Sequence, residues 1–289
     1  MEEVAVIGAG QMGLGVAQVL ATSGVRVLLF DVSQEVVDQA VGTIASGLDR
    51  LASRNKMSED DVAAAMGLIE GIASIDGDYS RLGGCDLVIE AVPEVESLKE
   101  RVLSAVAASA RPNALIASNT SSISMTKLAS FIPAERRAAF AGLHFFNPVP
   151  AMKLVEVIRG VETSDETVAA LSALCRQIGK EGIECLDSPG FVVNRLLVPL
   201  LNEAIFAVFE GVAEPAGIDK CMQLGANHPM GPLSLCDMIG LDTILSVMEV
   251  LHREFGDDKY RACPLLRKMV ASGRLGRKTG RGFYEYGKL

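Results

Sequence analysis

The sequence predicts an α/β protein: an N-terminal doubly wound sheet carrying an inserted helical pair, followed by an all-helical C-terminal domain. Three observations predict it. Short β-rich runs alternate with helical patterns through about the first 185 residues, a glycine-rich turn follows the first run, and strand signals vanish beyond Asp187-Ser188-Pro189-Gly190.

The predicted strands are 4–7, 25–30, 87–90, 115–117, 138–143, 154–158 and 182–185. Between the second and third lies a long charged helical segment, 34–69, broken near 54–58, where Ser58 is placed to cap the next helix. That helical pair extends beyond a minimal dinucleotide-binding unit. At 187–190 the composition changes, and Ser188 as cap with Pro189 in the first turn predicts a long helix over 191–210. Further helices are expected at 217–224, 232–254 and 264–271. The domains are therefore read as 1–186 and 187–289.

With 289 residues, 49% of them hydrophobic, the chain has enough apolar side chains for a large core and a subunit interface. A net charge of -9 argues against nucleic acid and anionic membrane as partners, since both require a basic field. The six cysteines include no C-x-x-C pair and the three histidines no H-x-x-x-H spacing, so neither zinc nor a disulfide framework is indicated. The first predicted strand begins at Val4, which leaves no room for a leader and makes a cytoplasmic enzyme the expectation. The apolar stretch 191–209 is interrupted by Asn194, Arg195, Pro199, Asn202 and Glu203, so it reads as a buried, kinked helix rather than a membrane span.

The turn is Gly8-Ala9-Gly10-Gln11-Met12-Gly13. Gly8 permits a tight turn, Gly10 lets backbone amides approach a pyrophosphate, and Gly13 lets the helix pack close to the sheet. Asp31 ends the second predicted strand eighteen residues after Gly13, where a Rossmann-type unit places the acid that holds the adenosine ribose. No arginine follows in Val32-Ser33-Gln34, so NAD is favoured over NADP. Asp31 as a mere turn residue is the competing reading.

A proton-transfer group is expected next. His144 has the near-neutral basicity that removal of a hydroxyl proton demands, Glu156 can orient its imidazole, and Ser121 can hold a substrate oxygen. Each also has a bland reading: a structural histidine, a solvated glutamate, a helix-capping serine.

At this point the chain resembles the 3-hydroxyacyl-CoA dehydrogenase family, particularly its short-chain 3-hydroxybutyryl-CoA branch. The resemblance rests on 6–13, Glu90-Ala91-Val92-Pro93-Glu94, Ser118-Asn119-Thr120-Ser121-Ser122, 144–150 with 152–156, 187–196, 228–232 and 276–284. It implies that His144 is the general base, Glu156 its partner, Ser121 a donor to the substrate's 3-oxygen and Asn194 a further polar contact. It also implies that Glu94 and Asn119 line the nicotinamide side, although either could cap a helix. By the same resemblance the helical pair helps to bind coenzyme A, with Arg50, Arg54 and Lys56 as candidate contacts, and the C-terminal helices meet in a homodimer. A dehydrogenase of a free hydroxy or sugar acid and a non-catalytic NAD-binding protein are the alternatives. The basic tail, with Arg274, Arg277, Lys278 and Arg281, reads as structural, anchored by Phe283 and Tyr284.

Overall fold

The computed structural model describes residues 1–74 and 77–287. Eight strands form one sheet: β1 Glu3–Ile7, β2 Arg26–Asp31, β3 Ile69–Ala73, β4 Leu87–Glu90, β5 Leu115–Ser118, β6 Phe140–Phe145, β7 Leu154–Arg159 and β8 Glu181–Leu186. Their spatial order is β3-β2-β1-β4-β5-β6-β7-β8. All pairs are parallel except β6 with β7. The order reverses between β1 and β4, the crevice where open α/β sheets bind ligands beyond the carboxyl ends of their strands. The first six strands form a doubly wound unit, as the alternating pattern predicted, although that pattern gave only five of them.

The central strands are buried throughout, with Val4, Val6, Val27, Leu29, Leu87 and Ile89 in one apolar cluster. That is why they read as continuous apolar runs rather than alternating ones. Helix α1, Gln11–Thr22, buries Val16, Ala17, Val19 and Leu20 on this cluster. The inserted pair is α2, Gln34–Ala52, capped by the Ser33 hydroxyl, and α3, Glu59–Gly67, opened by a capping box between Ser58 and Asp61. Further along are α4 Glu96–Ser109, α5 Met125–Ala129 and α6 Asp165–Gln177.

Four expectations about elements are corrected, the last of them in the second unit. The helical pattern ends at Gly67, and Ile69–Ala73 is the edge strand β3. Its half-buried Ile-Glu-Gly-Ile-Ala sequence carries little strand signal, and Gly71 is small because a Cβ there would lie 2.3 Å from the Val37 side chain of α2. The sixth strand runs over Phe140–Phe145, two residues beyond the expected start and end, because 134–139 is a 3-10 turn; His144 therefore lies within the strand. Ser188 and Pro189 do not open the following helix. Gly190 and Phe191 turn through positive φ (75° and 48°), and α7 begins at Val193.

The chain divides into two compact units, Met1–Ser188 and Pro189–Leu289; Lys288 and Leu289, the end of the expected second domain, lie outside the described residues. The second unit contains α7 Val193–Phe209, α8 Pro215–Gly225, α9 Pro232–Ile239, α10 Leu241–Phe255 and α11 Pro264–Ala271. The single helix expected over 232–254 is two, split by Gly240 at φ 106°, a conformation closed to most L side chains. Pro199 lies inside α7, as read from the sequence. The core joins Leu201, Ile205, Leu233, Leu241, Met248 and Leu266. The buried amide of Asn202 ties α7 to the chain ahead of α11, donating to Arg261 O (3.0 Å) and accepting from Cys263 N (2.9 Å). The tail is clasped by two buried acids. Asp237 accepts from Phe283 N and Tyr284 N (both 2.9 Å), and Asp219 accepts from the Tyr284 hydroxyl (2.8 Å).

Among the described residues no helix is long and apolar enough to cross a membrane.

Candidate active site

The glycine turn sits directly after β1. Gly8 has φ 108°, and a Cβ on it would lie 2.7 Å from Ala91 O; a Cβ on Gly13 would lie 1.8 Å from Gly8 O. Both positions thus exclude any side chain. Gly10 differs, since a Cβ there would meet nothing within 4 Å. Its outer face is open, which is the space a pyrophosphate needs. Helix α1 has no side-chain cap, so its first amides, from Gln11 to Gly13, are left to face an anion. Asp31 at the end of β2 accepts from Ala9 N and Val32 N, each at 2.7 Å. It therefore fixes the turn, and each oxygen keeps a lone pair for a ribose hydroxyl. The residues present fit a dinucleotide.

His144 and Glu156 face each other by register. They are paired residues of the antiparallel β6 and β7, so their side chains leave the same face of the sheet. His144 Nδ1 lies 2.7 Å from Glu156 Oε2, with His144 6% and Glu156 1% exposed. A carboxylate accepts only, so Nδ1 carries the proton and the basic lone pair of the neutral ring is at Nε2. The Phe146 ring lies 4.6 Å from the imidazole, centroid to centroid.

The turn after β5 bears Ser121. Asn119 joins it to β6 by accepting from Phe145 N (2.9 Å), the residue next to His144. Glu94 accepts from Ser121 N (2.5 Å), the Ser121 hydroxyl (3.0 Å) and the Thr120 hydroxyl (2.8 Å). Burial pushes the Glu94 carboxyl up, but the charge of Lys99 and the donors of Thr120 and Ser121 outweigh it and hold the group below its ordinary range. At the far end of this loop Asp187 accepts from Ser124 Oγ, Met125 N and Thr126 N at 2.7–3.0 Å.

Behind Glu94 lies a network that sequence reasoning missed. Lys99 Nζ is 2.7 Å from Glu90 and 3.3 Å from Glu94, and Glu90 also accepts from the Ser118 hydroxyl (2.6 Å). Lys99 and Glu90 are fully buried. The signal was present: in α4 the buried positions are Lys99, Val102, Leu103, Val106 and Ala107, so a lysine occupies an apolar stripe.

The other candidates fall on the following elements. Asn194 is in the first turn of α7, in the second unit. Arg50, Arg54 and Lys56 are exposed at the end of α2 and the turn after it. A cleft of about 570 Å³ between α1 and α2 is lined by Gly10, Gln11, Leu14, Gln39, Thr43 and Pro148.

Comparison with known proteins decides the family. The sequence profile of the 3-hydroxyacyl-CoA dehydrogenase NAD-binding domain matches residues 3–188, and that of the 3-hydroxyacyl-CoA dehydrogenase C-terminal domain matches 190–286. The chain belongs to the 3-hydroxyacyl-CoA dehydrogenase family. Within the family, a probable 3-hydroxybutyryl-CoA dehydrogenase of Deinococcus radiodurans is 50% identical over 281 residues, 97% of this chain and 99% of the relative. A probable 3-hydroxybutyryl-CoA dehydrogenase of Bacillus subtilis is 47% identical over 286 residues, 99% of this chain and 98% of the relative. The crystal structure of (S)-3-hydroxybutyryl-CoA dehydrogenase from Ralstonia eutropha superimposes with a TM-score of 0.95 at 52% identity, covering 100% of both chains. Residues 3–188, which include the glycine turn, thus match the family's NAD-binding domain.

Proposed function

We propose that this protein is an NAD-dependent dehydrogenase interconverting (S)-3-hydroxyacyl-CoA and 3-oxoacyl-CoA of short chain, such as 3-hydroxybutyryl-CoA and acetoacetyl-CoA. The observation that carries it is the buried His144–Glu156 pair on the sheet that holds the glycine turn. NAD held at the glycine turn would supply the hydride acceptor for C3. His144 Nε2 takes the 3-hydroxyl proton in oxidation and returns it in reduction. Glu156 fixes the tautomer and stabilises the imidazolium. Ser121 and Asn194 hold the 3-oxygen, which carries partial negative charge as its proton or hydride moves. Glu94 and Asn119 shape the nicotinamide side, and Asp31 takes the adenosine ribose. The exposed guanidinium of Arg54 and ammonium of Lys56, with Arg50, supply charge for the phosphates of coenzyme A.

Six free cysteines, four of them buried, are consistent with a reducing compartment, and we assign the protein to the cytoplasm. Exposed Leu196, Leu200, Phe209, Val212 and Leu224 on the second unit's helices and the turn after α7 support a homodimer through that unit. Light scattering is expected to give twice the chain mass, and a monomer would reject this assembly.

The deciding experiment measures initial rates on acetoacetyl-CoA, longer 3-oxoacyl-CoA esters and free acetoacetate, with NADH and NADPH in parallel. Turnover with NADH that is highest on the four-carbon thioester is expected. Equal rates on free acetoacetate would replace this reading with that of a free hydroxy-acid dehydrogenase.

A further inference from the structure

The segment between β5 and α5 has no regular structure, yet it carries Ser121, so something other than a ladder must hold that hydroxyl in place. Its neighbour Thr120 is 1% exposed. The Thr120 hydroxyl lies 2.8 and 2.9 Å from the two oxygens of Glu94 and accepts from Ser122 N (3.3 Å) and Ile123 N (3.0 Å). A hydroxyl has one proton and two lone pairs. All three are committed here: the proton to a carboxylate that can only accept, the lone pairs to the two amides that follow Ser121.

Glu94 Oε1 is approached by more donors than it has lone pairs. Ser121 N (2.5 Å), Thr120 Oγ1 (2.8 Å), Ser121 Oγ (3.0 Å) and Ser122 Oγ (3.4 Å) all reach it. With Ser121 N and Thr120 engaged, and Lys99 at 3.3 Å on the other oxygen, the Ser121 hydroxyl is surplus to the carboxylate. It can turn to a substrate oxygen without leaving Glu94 unsatisfied, which is the condition for a donor that must switch partners at low cost.

We infer that Thr120 is a positioning residue: its hydroxyl fixes the backbone on the far side of Ser121 and satisfies Glu94, which releases the Ser121 proton for the substrate's 3-oxygen. This rests on the reading of Ser121 as that oxygen's donor. Removing the Thr120 hydroxyl leaves two amides without an acceptor and makes Ser121 the replacement donor to Glu94. The cost falls on the acyl substrate, not on NAD.

The test is a double-mutant cycle of Thr120→Val and Ser121→Ala, with Thr120→Ser as the conservative variant. Loss of a hydrogen bond to a charged group predicts that Thr120→Val lowers kcat/KM for acetoacetyl-CoA by about 10- to 100-fold. NADH affinity, by fluorescence titration, is expected to change less than about threefold, and Thr120→Ser to stay within about threefold of the parent. In the Ser121→Ala background Thr120→Val is expected to add almost nothing. A full additional loss in that background overturns the inference, as does undiminished activity of Thr120→Val. Undiminished activity of Ser121→Ala overturns instead the role given to Ser121. Should Thr120→Val not fold, as read by thermal melting, Thr120→Cys takes its place in the cycle. Its thiol is a weak donor and acceptor, so a smaller loss with the same non-additivity is expected, and additivity again overturns the inference.

Discussion

Replacing Glu156 with glutamine is the perturbation whose size the geometry defines best. The two side chains are nearly equal in volume, so packing is kept and the change is one of charge. In the ground state Glu156 accepts a hydrogen bond from a neutral imidazole at 2.7 Å; when His144 takes the substrate proton the contact becomes an ion pair. For charge centres about 4 Å apart, an effective dielectric of about 20 gives about 4 kcal/mol of attraction. The ground-state bond to a charged acceptor is worth about 1–2 kcal/mol more than one to an amide, and only the excess over this acts on the barrier. The net loss is about 2–3 kcal/mol, or roughly 30- to 150-fold in kcat. The assay is NADH absorbance with saturating acetoacetyl-CoA, with NADH affinity and thermal midpoint measured alongside. A kcat within about threefold of the parent, in a folded protein that still binds NADH, would refute the claim that Glu156 stabilises a charged His144.

Lys99→Met leaves Glu90 buried with an uncompensated charge, so unfolding free energy from urea titration is expected to fall by about 3–5 kcal/mol; a loss below about 1 kcal/mol would show that the buried pair is not stabilising. Asp31→Asn removes the charge that a 2′-phosphate would meet and weakens the brace on Ala9, so NAD affinity is expected to drop about tenfold and the preference over NADP to narrow; an unchanged ratio in isothermal titration would reject the ribose role. Because the carboxyl of Glu94 is held below its ordinary value of 4.5, its hold on the 120–122 turn is fully present above that pH and is lost only as pH falls through the lower folded value. Activity is therefore expected to show no loss traceable to Glu94 between pH 7 and about pH 5, while Thr120→Val, with one donor fewer, moves the acid limb upward. An acid limb at the same pH in both proteins would count against the coupling.

The alternation of elements, the glycine turn and the acid ending β2 were legible because each depends on local rules: apolar periodicity, a positive φ at Gly8, and an open position at Gly10. Where local signal was weak, the reading slipped. Edge strand β3 holds Glu70 and Gly71 and took its identity from pairing with β2, not from its own propensity. The start of α7 was misplaced because Asp187 is bonded to the start of α5 and the backbone turns through Gly190 and Phe191, where a Ser-Pro pair had suggested a cap.

The same division holds at the site. Sequence alone determined which chemistries were available: a basic imidazole, a carboxylate twelve residues on, a hydroxyl after a strand and a cradle for phosphates. Only the tertiary structure decided which groups meet. The two-residue displacement of β6 and its antiparallel register put His144 opposite Glu156, and Lys99 of α4 pairs with Glu94, which holds the turn after β5. The physical reason is range. Turn and strand preferences act over a few neighbouring residues, whereas register and the pairing of buried charges are fixed by burial and hydrogen bonding across the whole sheet.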